Sequence, residues 1–166
     1  MKKLMMACVA ACAAVVALAG DQEAIAALIA AASEDAVIQL EAKTYLFDAT
    51  LNVNKKVTLK GAGRGKTILD GGGVASVLKV SKVATVEDLT VSNGYNAASL
   101  YGAGIVVSSA DVTLSNVCVT CCRNEYAPSQ NEQTVCGGGI YSVSQRLRIV
   151  DCLVTSCKAY NTVKAK

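Results

Sequence analysis

DVTLSNVCVTCC, from Asp111 to Cys122, returns at an offset of 35 residues as RLRIVDCLVTSC, from Arg146 to Cys157. Val112, Leu114, Val117 and Val119 in the first copy match Leu147, Ile149, Cys152 and Val154 in the second. The landmark ahead of each copy keeps the same offset: Gly102-Ala103-Gly104-Ile105 and Gly137-Gly138-Gly139-Ile140. A weaker copy, TVEDLTVSNG from Thr85 to Gly94, sets Leu89 on Val117 and Val91 on Val119. Apolar residues at every second position mark a strand with one buried face. Self-similarity at a period of roughly 20–50 residues marks a stack of equivalent units. The pattern therefore predicts coils whose matching residues lie in rows. Val117 and Cys152 share one inward row and Val119 and Val154 another. Asp88, Asn116 and Asp151 share a turn row, where Asn and Asp are favoured.

The same alternation extends upstream. Ile38 and Leu40, Val57 and Leu59, and Leu78 and Val80 each flank a polar residue. Between them, Gly61-Ala62-Gly63, Gly71-Gly72-Gly73 and Asn93-Gly94 supply turns. EYAPSQNEQT, residues 125–134, is polar, holds the single proline and reads as a loop. Only residues 21–35 carry a helical period: Ile25, Leu28, Ile29 and Ala32 form one stripe, with Asp21 placed to cap it.

Residues 1–19 read as an export signal. Lys2 and Lys3 precede an apolar run from Leu4 to Val16, and Ala17-Leu18-Ala19 is a small-x-small cleavage site. Val9-Ala10-Ala11-Cys12 resembles a lipoprotein box, but apolar sequence continues past Cys12. The run is short for a membrane span of about 20 residues. Without Lys2 and Lys3 the 16 basic residues become 14, against 13 acidic ones. That balance argues against a nucleic-acid partner, which needs a basic stripe. The domain reading is a signal peptide over 1–19, a capping helix over 20–35 and a β-domain over 36–166.

The segments VIQLEAKTYLF and KKVTLKGAGRGKTILDGGG, after an amphipathic helix, resemble the opening of right-handed parallel β-helix proteins of the pectin-lyase-like superfamily. GGGIY and SNVCVTCCRN are similar to repeats of bacterial surface proteins, including the polymorphic outer-membrane type. The resemblance covers residues 21 to 161. It implies a right-handed parallel β-helix of about four to five coils, capped by the helix. It also implies a secreted, cell-surface or outer-membrane location in a bacterium. After Cys157 only KAYNTVKAK remains. The expectation is therefore a truncated member of a longer family, or an end coil that self-associates.

The fold alone does not give an activity. Pectate lyases of this superfamily use carboxylates to hold Ca²⁺ and an arginine as base. The matching candidates are Glu87, Asp88, Asp111 and Asp151, with Arg146 or Arg148 as base. Strand alternation should separate Glu87 from Asp88, and the family's catalytic motifs are not recognisable. The paired aspartates and Gly-His-Gly of polygalacturonases are absent, and the chain has no histidine. GAGRGKT, residues 61–67, lacks the first glycine of a phosphate loop, since Lys60 stands there. The expected function is an exported non-catalytic module, adhesin-like, glycan-binding or structural, with a polysaccharide or host surface glycan as partner. The alternative is a polysaccharide-acting enzyme related to pectate lyases, and only that alternative calls for Ca²⁺. Tyr95, Tyr101, Tyr126, Tyr141 and Tyr160 are candidates for a glycan-stacking surface, against ordinary edge packing.

Cys118, Cys121, Cys122, Cys136, Cys152 and Cys157 remain after the signal. In an exported chain an even number favours disulfides over zinc. Cys122 and Cys157 hold the same place in successive copies and would stack about 4.8 Å apart, within disulfide range. A bond between them and a pair of stacked thiols both fit the sequence.

Overall fold

The computed structural model describes residues 20–109, 111–126 and 134–161. The expected export signal lies outside them. Helix α1 (Asp21–Ala31) comes first, and then the chain circles. The first circuit is β1 (Ala36–Gln39), β2 (Thr44–Leu46) and β3 (Leu51–Val53); the second is β4 (Val57–Lys60), β5 (Ile68–Asp70) and β6 (Leu78–Val80). The third is β7 (Ala84–Ser92), β8 (Tyr95–Asn96) and β9 (Ile105–Val107). The fourth is β10 (Asp111–Thr120), β11 (Arg123–Asn124) and β12 (Ile140–Ser142). The last holds β13 (Arg146–Val150), β14 (Leu153–Thr155) and β15 (Lys158–Ala159).

Each strand pairs in parallel with its counterpart one circuit away. The largest sheet runs β1-β4-β7-β10-β13, with β2, β5 and β14 attached; β3-β6-β9-β12 and β8-β11-β15 form the other two. This predominantly β, all-parallel arrangement is compatible with a β-helix or other solenoid. The repeat seen in the sequence becomes register. Leu114 pairs with Val86 and Ile149, and Val119 with Val91 and Val154. Like residues thus stack on like: Leu59, Val86 and Leu114 form one inward column, and Leu51, Leu78 and Ile105 another. All six are fully buried. Each such side chain contributes about 2 kcal/mol of apolar burial.

Two rows of left-handed residues bend the circuits. Asp88, Asn116 and Asp151 have φ of 57°, 51° and 50°; Asn93, Cys121 and Ser156 have 52°, 54° and 54°. Asn and Asp tolerate this conformation because their short side chains bond locally. The first row divides β7 and β10 into two straight halves, so both Leu114 and Val117 can face inward. The Gly-x-Gly landmarks answer a different need. A Cβ on Gly104 would lie 2.3 Å from Gly139 O and 3.1 Å from Cys122 Sγ, so the backbone there approaches the neighbouring coil and a thiol.

Three expectations need correction. Gly20, not Asp21, is the N-cap of α1; the Asp21 carboxylate instead accepts from Leu46 N at 3.0 Å and pairs with Lys43 at 2.9 Å. The helix ends at Ala31, where Lys55 Nζ donates to the Ala30 and Ala32 carbonyls. Such a cation suits the negative end of a helix. Leu28 is 49% exposed although it belongs to the apolar stripe, because α1 rests on β2 and β3 along the narrow line of Ile25 and Ile29. On the end coil, Ile149 and Val154 keep the inward columns and are 52% and 48% exposed. Among the described residues no strand pairs with the far edge of β13 or β14.

Candidate functional site

Six of the seven backbone N–H groups of the GAGRGKT turn are committed within the fold. Gly63 N donates to Asp88 O, Ala62 N to Thr67 Oγ1 and Gly65 N to Thr90 Oγ1, at 2.8, 2.8 and 3.0 Å. Thr67 is fully buried, and its own hydroxyl donates to Glu41 O at 2.7 Å. Strand β5 follows, where a phosphate loop would open a helix. Arg64 reaches along the stack and donates to Asp151 O at 3.2 Å, tying the second circuit to the last.

The carboxylate candidates are dispersed, but not as alternation implied. Glu87 and Asp88 face the same cation: Lys60 Nζ lies 2.7 Å from Glu87 Oε1 and 3.3 Å from Asp88 Oδ2. The left-handed φ of Asp88 turns its side chain back toward its neighbour's side. Asn116 Nδ2 donates to Asp88 Oδ1 at 2.7 Å, and this bond, followed by Lys60, holds the Asp88 carboxyl below its usual range. Lys60 is raised, chiefly through its bond to Glu87. Asp111 is five residues upstream of Asn116, about 16 Å along an extended strand, and is paired with Arg146 at 2.7 Å. Among the described residues no three Asp, Glu, Cys or His side chains are grouped to hold a metal ion. Arg148 lies in a shallow concavity of about 630 Å³ on the outer face of the largest sheet, among Thr58, Thr85 and Thr113.

Register places Cys122 opposite Cys157, because Thr120 pairs with Thr155 and Arg123 with Lys158. The stack expected from the sequence is therefore present. All six described cysteines are nevertheless free thiols. Cys122 Sγ donates to Thr120 O and Cys157 Sγ to Thr155 O, both at 3.2 Å. Burial, with Cys157 close by, pushes the Cys122 thiol up to about 12. Cys152 faces inward as expected, half-buried, with its thiol on Val150 O and Leu114 O.

The tyrosines do not form one surface. Tyr160 bonds through its hydroxyl to Glu125, and half-buried Tyr126 follows at that edge. Tyr101 and Tyr141 stack with centroids 4.5 Å apart, and Arg123 lies 4.9 Å over the Tyr95 ring. Tyr95 and Tyr101 both line a groove of about 730 Å³ against the outer face of β6 and β9, together with Thr50, Ser76, Lys79 and Ser99. It is an open surface groove rather than an enclosed cavity.

Sequence reasoning missed the residue that builds this groove. Asn96 is buried, and its Nδ2 donates to Ser99 Oγ, Tyr101 O and Gly102 O at 2.9, 2.9 and 2.8 Å. Its Oδ1 accepts from Ala98 N and Ser99 N at 3.0 and 3.1 Å. One side chain thereby shapes residues 97–102 into a wall. The available signal was the repeat itself, since Asn124 pairs with Asn96 in register. Compared with family models, with characterised proteins and with solved structures, the chain gives no match.

Proposed function

We propose that the chain is an exported, non-catalytic right-handed parallel β-helix of the pectin-lyase-like type that binds saccharide on its outer surface. The right hand follows from the strong preference of parallel crossover connections for that sense, together with the resemblance of the opening segments. Export rests on Lys2, Lys3 and the apolar run behind them.

The observation that carries the non-catalytic reading is the separation of the charged groups. A hard cation such as Ca²⁺ needs several oxygens converging on one point. Here Glu87 and Asp88 are engaged with Lys60, and Asp111 with Arg146. An aromatic-sided groove with a rigid wall supports binding instead. The experiment is absorbance of unsaturated products from polygalacturonate, with and without Ca²⁺. No turnover is expected in either condition; Ca²⁺-dependent product formation would establish the lyase alternative.

A further inference from the structure

We propose that the groove between Tyr95 and Tyr101 is the saccharide site, and that it selects a sugar residue bearing a carboxylate. This rests on the binding reading above and adds its place and its chemistry.

Sugar rings present C–H faces that pack against the negative face of an aromatic ring. Two rings line this groove, and each is held by a partner: Tyr101 by Tyr141, and Tyr95 by the Arg123 guanidinium. Tyr101 remains 45% exposed despite its stack. The wall carrying it is pinned by the Asn96 bonds, so little loop ordering remains to be done on binding.

Polar chemistry sets the class of sugar. Ser76 Oγ already donates to Gly102 O at 3.0 Å, so toward a ligand it is an acceptor for sugar hydroxyls. Among the described residues Lys79 is the only charged one in the lining, with no Asp or Glu beside it. It stands between Asn52 and Val106 on the sheet, whereas Lys43, Lys56 and Lys60 are each paired with a carboxylate. A single ammonium beside two rings and an acceptor hydroxyl complements one negative charge on a hydroxylated ring. The ammonium is solvated, so the selectivity it confers is modest, about fivefold.

The test is calorimetric titration of the full chain with sialyllactose and with lactose, which differ by one carboxylated sugar. AMP serves as an anion whose charge is a phosphate and whose stacking ring is a purine. Sialyllactose is expected to bind about fivefold more tightly than lactose, and AMP more weakly than either. Lys79→Gln should abolish the preference, read as the ratio of sialyllactose to lactose affinity within that variant. Tyr101→Ala should weaken both sugars about tenfold. Both positions are exposed, and unchanged circular dichroism and melting verify the fold. Equal binding of the two sugars, a preference surviving in Lys79→Gln, or AMP binding as tightly as sialyllactose overturns the proposal. Saccharide binding that ignores both variants removes the site and leaves the general reading standing. Absence of binding to either sugar, where a wider array of glycans also fails, removes both.

Discussion

Cys157 lies over Cys122 in the stack, with the backbone N–H of the next residue, Lys158, donating to Cys122 O at 2.8 Å. The same place in the repeat thus produces a column of two sulfurs beside Gly104 and Gly139, whose missing side chains make the room. A Cβ on either glycine would lie 3.1 Å from the facing sulfur.

This column gives a pH dependence. Cys122 titrates at about 12 in the folded chain, against an ordinary 9.0. Its folded-state value is raised, so its stabilising contribution is complete below pH 9 and is lost as pH rises toward 12. Between pH 8 and pH 10.5 the loss should be about 2 kcal/mol. Urea unfolding under reducing conditions at the two pH values checks this, with Cys122→Ala showing a smaller loss. A Cys122–Cys157 disulfide removes the titrating thiol and with it the dependence. Non-reducing peptide mapping after alkylation identifies which state was measured.

The inward columns predict unequal costs for equivalent residues. Leu114 is fully buried and Ile149, its partner on the next circuit, is 52% exposed. Leu114→Ala should cost about 3 kcal/mol, and Ile149→Ala roughly 1 kcal/mol, in proportion to the apolar area each keeps from water. Denaturant midpoints of the two variants give the comparison.

Asp88 predicts a loss of stability in acid. Its carboxyl is held low by Asn116 and then Lys60, so the contribution is present above the unfolded value of 3.8 and disappears as pH falls through the lower folded value. Unfolding midpoints at pH 7 and pH 2.5 should fall less for Asn116→Ala than for the unaltered chain. An equal fall in both would show that the ladder bond is idle.

Asn96 predicts a local effect. Asn96→Ala removes one side-chain donor each from the Tyr101 and Gly102 carbonyls, which keep Ser99 Oγ and Ser76 Oγ, and should cost about 1 kcal/mol. Hydrogen exchange at Ala98 and Ser99, whose amides bond to Asn96 Oδ1, should accelerate far more than exchange at β7.

The parts of this molecule legible in the sequence are those set by local periodicity. Val112, Leu114, Val117 and Val119 face inward because alternation and repetition agree, and the turn row of Asp88, Asn116 and Asp151 follows from the same offsets. What failed depends on neighbours that the sequence does not display. Leu28 has apolar patterning, but its exposure is decided by what packs over it. Glu87 and Asp88 seemed separable by alternation, yet a positive φ at one residue cancels that rule. Asn96 stands in a run of turn-forming residues, where an asparagine ordinarily signals a solvated turn. Its burial follows only from the return of residues 101–102 over it. Lys79 was invisible as a site because its meaning comes from Tyr95 and Tyr101, far from it in the chain and beside it in the groove.

The most direct test of the account is saturation-transfer NMR on the full chain with sialyllactose, followed through prolonged incubation. The account predicts transfer to the sugar-ring protons, strongest on the carboxylated residue, with the sugar spectrum unchanged throughout. New resonances from a cleaved or unsaturated saccharide would contradict it.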